Sequence, residues 1–131
     1  MRAALRLRRI LISSCTGAGT ATLTQAHAVF TAKCVSCHIA GYSYGDYSTE
    51  AKSGETVNKK SLYAAMPGTL KVVDPGKLEN SSLWLKILGG ATKARTGPKG
   101  ENVFGAMPND GTMLDAAQQK TIKDWICSGA M

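Results

Sequence analysis

Histidine, aromatic residues and long apolar runs are all scarce in this chain. It holds two histidines, two phenylalanines, two tryptophans and four tyrosines in 131 residues. The best apolar run, Ile10 to Leu23, is too short and too rich in Ser, Thr and Gly to span a bilayer. No segment shows sustained strand alternation and no repeat stands out, so a strand–helix redox fold is not expected. No acid–base constellation accompanies the few histidines, and no enzymatic activity is expected. A zinc site needs about four ligands, and beyond Cys34, Cys37 and His38 the chain offers only Cys15, Cys127 and His27 from the Cys/His set.

What is present begins with a basic N-terminus. Arg2, Arg6, Arg8 and Arg9 precede the uncharged run, and Ala26-His27-Ala28 supplies a small-x-small pattern. This order reads as a secretory signal peptide over residues 1–28, cut after Ala28, with cuts after Ala18 or Ala21 as alternatives. Residues 29–131 then form one domain. Two other export readings are weaker. Ile12-Ser13-Ser14-Cys15 faintly resembles a lipoprotein box, which would anchor the chain through lipid on Cys15. Arg8-Arg9 could belong to a twin-arginine signal, but a plain charged leader accounts for it.

The leader carries four of the sixteen basic residues and none of the nine acids. Without it the net charge falls from +7 to +3, too little to argue for nucleic acid or a strongly charged docking face. No strong membrane association is expected, and the protein should be a monomer. Of four cysteines, Cys127 is left over in this reading. It is expected to be a buried, inert thiol, with an intermolecular disulfide as the alternative.

The densest chemistry lies at Cys34-Val35-Ser36-Cys37-His38, a C-x-x-C-H pattern. Two thiols within one helical turn can each form a thioether to a vinyl group of haem, and the next imidazole can ligate iron. A zinc site, a redox dithiol and a chance cluster of structural residues are the competing readings. One covalent haem c is the expected cofactor. The opposite axial position has four methionine candidates: Met66, Met107, Met113 and Met131. Met107 is preferred, because Gly105 to Gly111 reads as an irregular loop and Pro108 holds Met107 extended. Met66 is the alternative ligand, and an open sixth position is the third possibility.

Local signals outline helices around this site. Ala28 to Cys37 should form a short helix, with Phe30 on the face of Cys34. Gly41 to Gly54 reads as a loop whose Tyr42, Tyr44 and Tyr47 cover haem and core. Asn58 to Ala65 is a plausible helix. Asn80 should cap a helix over Ser81–Leu88, ended by Gly89-Gly90 and burying one broad face. Gly89 to Gly105 is a loop with a solvated basic rim. Asp115 and Gln118 form a capping box for a last helix carrying Ile122, Trp125 and Ile126, with Lys120 and Asp124 paired on its other side.

Phe30-x-x-x-Cys34-x-x-Cys37-His38, the late Met107-Pro108 and the closing amphipathic helix resemble class I cytochromes c. Three segments, Asp74 to Leu83, Met107-Pro108 and Trp125 to Ala130, are similar to the planctomycete-type cytochrome c domains of bacteria. The resemblance spans about Phe30 to Ala130. It implies an all-α fold: a single small domain of three to five short helices around one haem, the first and last helices crossed and Phe30 near Trp125. It further implies that Cys34 and Cys37 carry the haem and that His38 and Met107 are its axial ligands. One feature departs from the family. No proline follows His38 until Pro67, so the usual carbonyl acceptor for the proximal imidazole is in doubt, with a carbonyl near Pro67 or Pro75 as a substitute. The expected function is a periplasmic carrier of single electrons between redox partner proteins. A haem-based sensor or small-ligand binder with an open iron position is the alternative.

Overall fold

The computed structural model describes residues 14–35, 38–40, 46–61, 70–89 and 113–131. Within them the protein is helical. Helix α1 spans Leu23–Lys33, α2 Glu50–Gly54, α3 Ser82–Gly89 and α4 Ala116–Cys127, with a single 3-10 turn at Leu78–Asn80. Among the described residues there are isolated bridges but no strand, and no helix is long and apolar enough to cross a membrane.

Helix α1 starts earlier than Ala28, because a second capping box precedes it. Thr22 Oγ1 accepts the Gln25 N–H at 3.3 Å, and Gln25 Oε1 accepts the Thr22 N–H at 2.8 Å. Two orphan donors are thereby satisfied at the helix start. Ala26, Val29 and Phe30 form the buried face. The Ala26-His27-Ala28 pattern therefore sits in mid-helix: Ala26 is fully buried, and His27 Nδ1 lies 3.0 Å from Ser53 Oγ, tying α1 to α2. Small residues suit close helix packing as well as they suit a cleavage site.

Helix α4 follows its sequence signals. Asp115 Oδ1 accepts the Gln118 N–H at 2.7 Å, Gln118 returns the bond to the Asp115 N–H at 3.0 Å, and Gly129 adopts φ +107° just past the end. Ile122, Trp125 and Ile126 are fully buried against α1. Phe30 meets Trp125 edge to face, ring centroids 5.8 Å apart. Full burial of two large aromatic rings where two helices meet supplies several kcal/mol of apolar stabilisation, about 2–3 for each ring.

Three local expectations change. The Gly41–Gly54 loop contains α2, capped by Thr49, whose hydroxyl accepts the Lys52 N–H at 3.1 Å. The start of the Asn58–Ala65 helix is not helical: Asn58 has φ +62°, a conformation that Asn tolerates better than most residues. Residues 58–61 instead bond to 70–73, with Asn58 N–H to Val73 O at 2.8 Å and Val72 N–H to Lys59 O at 2.7 Å. Residues 62–65 of that expected helix lie outside the described residues. Asn80 ends the 3-10 turn and donates its side-chain amide to Asp74 Oδ2 at 2.7 Å, so α3 begins two residues later, at Ser82.

Asp74 to Leu83 thus forms a hydrogen-bonded knot rather than a cap and helix. The buried Ser81 hydroxyl donates to Lys77 O at 2.8 Å and accepts the Asp74 N–H at 2.9 Å. Gly76 N–H donates to Ile126 O at 2.8 Å, docking the knot on the end of α4. Helix α3 is buried on more than one broad face, since Leu83, Trp84, Leu85, Ile87 and Leu88 all lie inside. Burial lowers the pKa of Lys86 on this helix.

Candidate functional site

The site grows from the C-terminal end of α1. Cys34 is the C-cap residue, and its N–H donates to Phe30 O. Its side chain is half-buried and packs on the edge of the main core. The helix expected over Ala28–Cys37 ends at Lys33; beyond it, His38 N–H donates to Cys34 O at 2.8 Å, an i to i+4 bond that brings the two residues within one turn. Cys37 lies outside the described residues, as do Met66 and Met107.

Tyr47 closes the other side. Its N–H donates to His38 O at 3.3 Å, and its ring stands edge-on to the His38 imidazole, centroids 5.2 Å apart. The same ring packs on Phe30 at 4.6 Å. Trp125, Phe30, Tyr47 and His38 therefore form a continuous train of rings from the centre of the core to the site. Burial, with a smaller contribution from Cys34, raises the Tyr47 phenol pKa, so Tyr47 stays neutral at physiological pH. The expectation that Tyr47 covers the core holds; Tyr42 and Tyr44 lie outside the described residues.

Pro67, one of the two expected neighbourhoods for a substitute His38 acceptor, lies outside the described residues; near Pro75, the Asp74–Lys77 turn docks on α4 through Gly76. Tyr47 touches both the backbone and the ring of His38. Spacing carried no signal for this contact. Of the other methionine candidates, Met113 and Met131 are exposed. Ile39, next to His38, is also exposed, giving the site an apolar rim.

The residues present fit a haem attached through sulfur and ligated by imidazole. A half-buried thiol and an imidazole share one turn at the edge of an apolar core, which is the donor set such a group needs. Trp125 Nε1 is buried without a hydrogen-bond partner among the described residues, and buried donors normally have one.

Elsewhere, the cysteines are used differently from the sequence expectation. Cys127 is not an inert thiol: it is disulfide-bonded to Cys15, 112 residues away, with Cα atoms 5.4 Å apart. A sulfur in that bond cannot also carry lipid. Asp124, expected to pair with Lys120 on the side of α4 away from the apolar stripe, is buried. It accepts the Gly19 N–H at 2.9 Å and pairs with Lys120.

None of the family models, curated proteins or solved structures compared with the chain matches it.

Proposed function

We propose that the protein is a monohaem c-type cytochrome that carries single electrons between redox partner proteins after export to the periplasm. The observation that carries this reading is the Cys34–His38 turn at the end of α1, held at the edge of the core by Tyr47. The C-x-x-C-H spacing and the contact between Phe30 and Trp125 support it.

Bound haem would supply a one-electron couple. The chain's own residues then have distinct tasks. Cys34 and Cys37 would hold the group through sulfur. His38 would be an iron ligand, its ring in edge-on contact with Tyr47. Met107 would be the second protein ligand, with Met66 the alternative; thioether ligation raises the potential over a second imidazole. The buried ring train excludes water from the inner side of the site.

The test is the absorption spectrum and intact mass of protein made in a cell competent for covalent haem attachment. Expected are a mass increase of one haem and a weak ferric band at the red end of the spectrum that disappears in Met107→Ala. Colourless protein at the bare polypeptide mass overturns the proposal. Rapid carbon monoxide binding by the unaltered ferrous protein would replace the electron carrier with a ligand-binding sensor.

A further inference from the structure

We infer that Cys15 remains in the mature protein, any leader being removed ahead of it, and that its disulfide with Cys127 clamps the segment leading into α1 to the end of α4. The two sulfurs join segments at opposite ends of the chain, but they do not act alone. Residues 14–22 lie along the C-terminal half of α4 as a strap. Gly19 N–H donates to the buried Asp124 carboxylate at 2.9 Å. Ser128 Oγ donates to Ala21 O at 3.3 Å, and Leu23 N–H donates to Met131 O at 3.0 Å.

The strap's sequence suits this path. Gly17 takes φ +73°, which favours glycine, and turns the chain directly after Cys15. At Gly19 a Cβ would come within 3.3 Å of Asp124 Oδ2, so the strap packs tightly against that carboxylate. The strap leads into Thr22, the cap of α1, and then to Ala26, which is fully buried. A cut after Ala28 would remove the disulfide, the strap, the cap and about half of α1 together. A cut after Ala18 or Ala21 would still remove Cys15.

The redox step balances by thiol–disulfide exchange. The Cys15 and Cys127 thiols lose two protons and two electrons and form one S–S bond; the oxidant is a protein or small-molecule disulfide, which leaves as two thiols. Exported proteins meet such oxidants and cytosolic ones rarely do. Four cysteines in two pairs allow three pairings. The Cys15–Cys127 bond removes the two pairings that would consume Cys34 or Cys37 with a distant partner. This last consequence rests on the proposed function, whereas the clamp itself does not.

Full-length protein produced with export in a haem-attaching bacterial host provides the test. Non-reducing digestion and mass spectrometry should find the Cys15 peptide joined to the Cys127 peptide, with the N-terminus of the mature chain at Ser14 or earlier. A mature N-terminus beyond Cys15, or Cys127 alkylated without prior reduction, overturns the inference. Cys15→Ser, Cys127→Ser and the double variant should each lower the thermal midpoint by the same amount, about 10 °C or more. Additive losses in the double variant would mean that the cysteines act independently, and would also overturn it. Haem content is read separately: colourless protein with the disulfide intact rejects the cytochrome and keeps the clamp. Red protein with an alkylatable Cys127 does the reverse.

Discussion

The two ends of α1 are built on opposite principles. At the N-terminal end, polar groups meet protein partners: Thr22 and Gln25 close a capping box, Leu23 bonds to Met131, and the adjoining strap reaches Asp124 and Cys127. At the C-terminal end, the thiol of Cys34 and the ring of His38 sit half-buried at the margin of the core, with exposed Ile39 beside them. One end holds the helix in place, and the other carries the residues proposed to bind haem. A site that must hold a reactive group in fixed geometry benefits when the element bearing it is anchored elsewhere.

Perturbations along α1 and its partners should separate the two ends. The largest effect is expected where both depend on one residue. Trp125→Ala removes the fully buried ring against which Phe30 packs and should cost about 4 kcal/mol in denaturant unfolding. Tyr47→Leu acts on the site end, deleting ring contacts to Phe30 and His38. A loss of about 2 kcal/mol is expected, with a changed spectrum of the proposed haem, while the Cys15–Cys127 bond still forms.

Asp124→Asn acts on the anchored end and has a defined pH dependence. Burial alone would raise the Asp124 pKa, but hydrogen bonds from Lys120 and Gly19 and the charges of Lys120 and Lys123 lower it overall. The folded value therefore lies below the unfolded one, so the carboxylate stabilises the fold above the ordinary Asp pKa of about 4. That contribution is lost as pH falls through the depressed folded value. Unfolding curves at neutral pH should show the variant about 1.5 kcal/mol less stable, and the gap should close in acid. Thr22→Ala should have the smallest effect, about 1 kcal/mol, seen as faster amide exchange in the first turn of α1 with an unaltered spectrum of the proposed haem.

Features set by neighbours along the chain were legible without a structure. Helix α4 was readable because its capping box, apolar stripe and terminal glycine all lie within fifteen residues, from Asp115 to Gly129. The cap of α1 was equally local, but the leader-like composition ahead of it concealed Thr22 and Gln25. Between Asn58 and Ser61, helix-compatible residues lost to pairing with 70–73 and to the left-handed turn at Asn58. Asn80, a good cap by type, had a stronger partner in Asp74. Tyr47 against His38 had no sequence signal, since the contact depends on where a loop folds back.

By itself the sequence determined the helical character of the described residues, the last helix with both its ends, and the thiol–imidazole spacing at Cys34 to His38. Each follows from hydrogen bonds or side-chain periodicity within a few residues. Only the tertiary structure decided that Cys15 belongs with Cys127, that Asp124 is buried beneath Gly19, and that Ala26 is a packing residue. Those outcomes depend on which distant surfaces exclude water from one another, and local spacing carries no record of that.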